Sequence, residues 1–142
     1  MTLGYLPYAL LALAAYSFVP PLVRVASEDV PSDVLAFVTN GVLVAAAGAM
    51  VLAGGHTGEL GEALTGPRAP YVYGAGVCLA VGILAYYHSL HLGPVSVVTP
   101  VFGMFLVTSS LIGVVFLNET LSVRHGLGVA FAVLAVYLTT TA

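Results

Sequence analysis

Long apolar stretches alternate with short polar turns along the chain, and this pattern predicts five membrane-spanning helices. The apolar stretches cover residues 3–25, 34–53, 71–92, 95–117 and 121–138. At about 1.5 Å per residue, a helix of about 20 residues crosses the hydrocarbon core of a bilayer. Because a backbone in lipid must satisfy its own polar groups, the sequence predicts an all-α integral membrane fold in one domain, residues 1–142.

Prolines mark the expected irregularities of these helices. The pair Pro20–Pro21 predicts a kink or an end in the first span, because proline has no N–H to donate. Pro100 lies inside the fourth span, where it releases the carbonyl of Ser96 from its helical hydrogen bond. Residues 54–70 contain a Gly-Gly pair and two prolines, and they are predicted to be the longest loop, outside the bilayer.

The composition agrees with a membrane protein. Of the 142 residues, 60% are hydrophobic and only 6% are charged, against about 25% in a typical soluble domain. A water-soluble surface cannot be built from so few charges, which argues against a soluble enzyme and a disordered chain. The net charge of −3 offers no basic patch, so no nucleic-acid partner is expected. All the charged residues fall in turns or at span ends.

The three arginines give little information about orientation. Five spans place the two termini on opposite sides, with Arg24 on one side and Arg68 and Arg124 on the side of the N-terminus. Cytoplasmic loops are enriched in basic residues, and here the difference is a single residue. Two interpretations stay open: the N-terminus is always inside, or the chain inserts in both orientations and pairs with an inverted copy of itself.

The last three spans carry motifs that resemble a known family. Residues 84–100 read LAYYHSLHLGPVSVVTP, residues 116–121 read FLNETL, and residues 126–128 read GLG. This order resembles the second half of an EamA repeat of the drug/metabolite transporter superfamily. The first half matches more loosely: Tyr16 and Ser17 stand where the family often has Trp-Gly, and Asn40 stands where many members carry Arg.

The resemblance implies an architecture and a function. It covers nearly the whole chain once, whereas typical members carry two inverted repeats and ten helices. It therefore implies either a homodimer, which insertion in both orientations would make antiparallel, or a heterodimer with a second half-size copy. It also implies a multi-pass transporter of the plasma or inner membrane that moves small metabolites or amphipathic compounds by alternating access, with no cofactor and no enzymatic activity. The alternative is a non-transporting membrane subunit that stabilises or regulates a larger complex.

Polar groups inside the spans are the candidates for a substrate pathway, because transport requires a polar route at mid-depth. They are Tyr16, Ser17, Asn40, Tyr86, His88, Ser96, Thr99 and Pro100. No charged residue lies centrally in a span, which argues against a proton exchange through a buried carboxylate like that of the small multidrug resistance family. Structural interpretations stay open: Tyr16 and Asn40 can link helices, and Tyr86 can anchor a span at the membrane interface.

His88 can titrate near neutral pH and is the one candidate for a proton-linked step, although a hydrogen-bonded histidine at the interface is the simpler interpretation. His88 and His91 are three residues apart, but no carboxylate or thiol lies near them in sequence, so no metal site is predicted. Glu119 and Arg124 flank the connection between the last two spans and are predicted to fix that turn.

Overall fold

The structure is a computed structural model that describes residues 4–117 and 122–140, in which every regular element is an α-helix. The side chains of Leu117 and His125 are outside the description. In chain order the helices are α1 (Leu6–Ser17), α2 (Val19–Ala26), α3 (Ser32–Ala53), α4 (Thr57–Thr65), α5 (Ala69–Leu92), α6 (Val95–Gly103), α7 (Phe105–Leu117) and α8 (Val123–Thr140).

The helices confirm the prediction of an all-α membrane protein. Four helical segments of the described residues are long and apolar enough to cross a bilayer: Leu6–Ala26, Ser32–Ala53, Ala69–Leu92 and Val95–Phe116. The fifth predicted span corresponds to a shorter apolar segment, Gly126–Thr140, within α8. The helix ends lie within a few residues of the boundaries expected from the apolar pattern.

Two of the spans are interrupted, and both contain proline. The first span breaks at Phe18, whose N–H bonds to the carbonyl of Ala15, three residues back, at 3.3 Å. The fourth breaks at Met104, whose N–H bonds to the carbonyl of Val101 at 3.2 Å. The predicted kink in the first span is confirmed, and it lies just before the proline pair, which occupies the first turn of α2.

The prediction of a long loop over residues 54–70 is wrong in part, because this segment contains α4. Helix α3 ends at Gly54, and Gly55 turns the chain with a φ of 72°, a conformation that favours glycine. The following residues then form two turns of helix. Leu60 and Leu64 are spaced four apart on one face, and Glu59 lies in the first turn, where a negative charge is favourable.

The chain divides into two compact units, each described by itself. The first unit contains the described residues of Met1–Pro20 and Leu92–Ala142, and within it α6 packs against α7 and α8. The second unit is Pro21–His91, whose buried side chains include Val23, Ala36 and Leu90.

Most large apolar side chains of the described helices are exposed. Phe37 is 81% exposed and Tyr71 is 80% exposed, and similar values occur on every span. A soluble monomer rarely exposes such continuous apolar surface. These faces therefore contact lipid or another membrane protein.

Candidate functional site

The side chain of Arg24 caps the C-terminal end of α5. Its Nη1 atom donates hydrogen bonds to the carbonyl of Leu90 at 2.9 Å and to that of His91 at 2.8 Å. The last carbonyls of a helix lack partners within the helix and carry the negative end of its dipole, so a guanidinium is favourable there. This contact holds Arg24 of α2 against the end of α5.

Two further hydrogen bonds complete this connection. The Nδ1 atom of His91 lies 3.0 Å from the carbonyl oxygen of Ser27, and because a carbonyl only accepts, Nδ1 carries the proton. The hydroxyl of Ser27, a buried residue, donates to the carbonyl of Arg24 at 2.8 Å. We call Arg24, Ser27, Leu90 and His91 the Arg24 clamp.

A pair of hydroxyl groups links α3 to α5. The Oγ1 atom of Thr39 and the phenolic oxygen of Tyr87 are hydrogen-bonded at 3.1 Å, and Tyr87 is buried. Tyr86 is buried too, with its ring centroid 6.3 Å from that of Tyr87. Of the predicted residues on α5, Tyr86 thus lies in the interior of its unit, whereas His88 is exposed.

An open groove of about 410 Å³ runs between α3 and α5. Each helix contributes one face to it, since the lining residues recur every three or four positions: Asp33, Ala36, Phe37 and Asn40 from α3, and Gly76, Leu79, Ala80, Ile83 and Leu84 from α5. Asn40 is half-buried, and its Nδ2 atom donates to the carbonyl of Ala36 at 2.8 Å. Its Oδ1 atom accepts no hydrogen bond from the described part of the chain. This oxygen is therefore an acceptor with unused capacity on a residue that lines the groove.

Prolines withdraw the usual helical donor from backbone carbonyls in the two interrupted spans. Ser17 stands four residues before Pro21, and Ser96 stands four residues before Pro100. Proline has no N–H, so these two carbonyls receive no hydrogen bond from the residue four positions further along. Tyr16 likewise stands four residues before Pro20, but its carbonyl accepts a hydrogen bond from a backbone N–H at the end of α1. Tyr16 and Ser17 lie near the middle of the span Leu6–Ala26.

The side chains of these residues differ in exposure. Tyr16 is 68% exposed and Ser96 is exposed, whereas Thr99 and Pro100 are half-buried. The hydroxyl of Ser17 donates to the carbonyl of Leu13 at 2.7 Å, within its own helix. The first unit holds Tyr16, Ser17, Ser96, Thr99 and Pro100, and the second holds Asn40, Tyr86 and His88.

Arg124 lines a second open pocket, of about 390 Å³, in the first unit. The pocket is otherwise mainly apolar, with Leu106, Val107, Ser110, Gly128 and Val129 around it. Glu119, the predicted partner of Arg124 in the turn, lies outside the described residues.

Several residues of this site were not predicted from the sequence as functional groups. Asp33 stands two helical turns before Asn40, so the shared face could have been found from spacing alone. Thr39 is adjacent to Asn40, but its partner Tyr87 is 48 residues away. The clamp of Arg24 likewise joins positions more than 60 residues apart, and no local pattern indicates such a contact.

Comparisons with known proteins extend over nearly the whole chain. A family model described as the EamA-like transporter family matches residues 3–141. A protein of Sinorhizobium sp, named "Uncharacterized transporter in cobO 3'region", is 28% identical over 124 residues, which cover 87% of this chain and 87% of that protein. No solved structure matches the chain.

Proposed function

The chain belongs to the EamA-like transporter family, and on this basis we propose that it moves small metabolites or amphipathic compounds across the cell membrane by alternating access. Its family and its several apolar helices make it a multi-pass membrane transporter. The proposal adds the mechanism, the pairing of two copies and the class of cargo.

The interruption of two spans is the observation that carries the proposed mechanism. Transporters bind their cargo at discontinuous helices, where unwound backbone offers polar groups at mid-depth and can bend during the transport cycle. Here the breaks at Phe18 and Met104 accompany the carbonyls of Ser17 and Ser96, which lose their helical donor to a proline, and Tyr16 stands beside Ser17. We assign these positions, with Asn40, Thr99 and Pro100, to the substrate pathway.

The pairing of inverted copies is supported by the surface of the chain and by its charges. The groove beside Asn40 is open on its outer side, and the surrounding apolar side chains are exposed. A second copy would cover such surface, and the near balance of the three arginines permits insertion in both orientations. Two inverted copies would then enclose a path that rocking opens alternately to each side.

Flux into liposomes tests the proposed transport. The purified protein is reconstituted, and the uptake of radiolabelled amino acids and aromatic amines is followed in the presence of an excess of the same unlabelled compound inside. Saturable uptake above that of protein-free liposomes is the expected result. No uptake of any compound, together with a stoichiometric co-purifying partner, would contradict transport and favour a non-transporting subunit of a larger complex.

Labelling of a single cysteine tests the inverted pairing separately. Replacing Cys78 with Ser removes the chain's one cysteine, and Gly58→Cys then adds a new one in α4, where an added Cβ meets no atom within 4 Å. In intact cells, we expect a membrane-impermeant maleimide to label about half of the copies, because half face each way. Labelling of all copies, or protection of all copies, would contradict dual insertion.

A further inference from the structure

The groove between α3 and α5 displays oxygen acceptors at two depths. The Oδ1 atom of Asn40 accepts no hydrogen bond from the described residues. The carboxylate of Asp33 accepts one hydrogen bond, from the N–H of Val34 to its Oδ1 atom at 2.9 Å, so most of its capacity as an acceptor remains. Both residues line the groove, Asp33 at the start of α3 and Asn40 further into the span.

The spacing of these two residues defines the shape of a ligand. Seven residues of α-helix return to the same face and advance about 10 Å along the axis. Between the two acceptors the wall is apolar and includes Ala36, and Ala80 faces the groove from α5. A matching ligand has an apolar body with hydrogen-bond donors at both ends.

The charges around the groove favour a cation at the end that contains Asp33. None of the described residues that line the groove is basic, and Arg24 uses its guanidinium on the carbonyls of Leu90 and His91. The turn that precedes α3 adds two exposed carboxylates, Glu28 and Asp29. Carboxylates close to Asp33 in the chain raise the local concentration of cations.

We propose that this groove is a binding site for a free organic amine with an apolar body, whose ammonium pairs with Asp33 and whose far hydroxyl or N–H group donates to Asn40. The inference deepens the proposed function, on which it rests for its role in transport, because it gives the chemical class of the cargo. An ammonium–carboxylate pair with hydrogen bonding is among the stronger polar contacts, so losing it weakens binding by about tenfold or more.

Fluorescence of a single tryptophan measures this binding without any transport. The chain has no Trp, so Phe37→Trp places one reporter in the wall of the groove. The variant is purified in uncharged maltoside micelles and titrated with tyramine, with excitation at wavelengths that phenols do not absorb. Tyrosol and 4-hydroxyphenylacetate replace the ammonium by a hydroxyl and a carboxylate, and phenethylamine lacks the phenol. Equilibrium dialysis of labelled tyramine with the unmodified protein repeats the measurement without the reporter.

The expected order of affinity is tyramine, then phenethylamine, then tyrosol, with 4-hydroxyphenylacetate weakest. Asp33→Asn is expected to weaken tyramine binding about tenfold or more, and Asn40→Leu to remove the advantage of tyramine over phenethylamine. Glu62→Gln is the matched control, since it removes the same charge from α4, which contributes no residue to the groove, and less than a twofold change is expected. Equal binding of the acid and the amine, or an unchanged affinity in Asp33→Asn, would overturn the proposal.

A lipid occupant gives a different result. If phosphatidylethanolamine added to the micelles displaces tyramine at low molar ratio, the groove is a lipid site and the proposal of a free amine fails. Failure of the proposed transport and failure of the amine site give different results. Tyramine binding without flux contradicts transport and leaves the site in place, whereas flux of tyramine that Asp33→Asn does not alter contradicts the site and leaves transport in place.

Discussion

The Nη1 atom of Arg24 lies 2.9 Å from the carbonyl oxygen of Leu90, a residue 66 positions further along the chain. This hydrogen bond connects the end of the first span to the end of the third. It also brings a positive charge to the negative end of α5, in the part of its unit that contains most of the buried side chains. The clamp thus holds the end of the first span against the end of α5, which is one of the two helices that form the groove.

Loss of the clamp is expected to destabilise the protein. In Arg24→Ala the carbonyls of Leu90 and His91 lose a charged donor, and we expect the free energy of unfolding to fall by about 1.5–3 kcal/mol. Thermal unfolding in detergent measures this. Arg68→Ala is the control, since Arg68 makes no side-chain hydrogen bond with the described residues. Equal melting temperatures for the two variants would show that the clamp does not contribute.

The hydroxyl pair of Thr39 and Tyr87 is expected to contribute a smaller stabilisation. Hydrogen bonds between membrane helices are worth about 0.6 kcal/mol on average. A double-mutant cycle of Thr39→Val and Tyr87→Phe should therefore give a coupling energy of about this size. The same cycle with Tyr71→Phe, an exposed tyrosine at the start of α5, should give none. A Thr39–Tyr87 coupling indistinguishable from zero would argue against the link between α3 and α5.

The proline inside the fourth span, Pro100, is expected to be required for transport. Pro100→Ala restores an N–H that can bond to the carbonyl of Ser96, so α6 becomes stiffer and a polar group is withdrawn from the pathway. We expect flux to fall about tenfold while stability is equal or higher. Pro70→Ala is the control, because Pro70 stands in the first turn of α5, where its missing N–H breaks no helical bond. Wild-type flux in Pro100→Ala would remove this proline from the mechanism.

Three conservative changes test the assigned pathway. Tyr16→Phe, Asn40→Ala and Thr99→Val each remove a polar group inside a span, and we expect them to change substrate affinity in liposomes without loss of expression. Thr140→Val serves as the control, because the hydroxyl of Thr140 bonds only within α8 among the described residues, at the carbonyls of Val136 and Tyr137. If all three variants transport like the wild type, these residues lie outside the pathway.

The sequence predicts the elements of this fold better than their contacts. Apolar length gives the spans, because lipid forces the backbone into helices, and the proline pair gives the break near Phe18. Helix α4 was missed because its two glycines and the flanking prolines indicate a loop, whereas Leu60 and Leu64 form an apolar face. The break at Met104 lies four residues beyond Pro100, where the helix tightens to a three-residue hydrogen bond.

In the candidate site, too, single residues could be predicted from the sequence, whereas contacts between distant residues could not. Asn40 was predicted because an amide inside an apolar span requires partners, and the structure places it in the wall of the groove. Tyr86 and His88 are neighbours in sequence, yet one is buried and the other is exposed, because a helix turns by about 100° per residue. The Arg24 clamp depends on residues far apart in the chain, so it required the tertiary structure.

Variants locked in opposite orientations can test whether transport needs an inverted pair. Glu28→Lys with Asp29→Lys concentrates positive charge beside Arg24, and Glu59→Lys with Glu62→Lys concentrates it beside Arg68. Basic residues hold their side of a membrane protein in the cytoplasm, so the two double variants should insert in opposite directions. Maleimide labelling of Gly58→Cys in each background verifies the orientation.

Flux is then measured in liposomes that contain either variant alone or both after co-expression, with the compound that the wild type transports. An inverted pair predicts that neither variant alone exceeds protein-free liposomes and that co-expression restores flux close to that of the wild type. Wild-type flux from either variant alone would contradict an inverted pair.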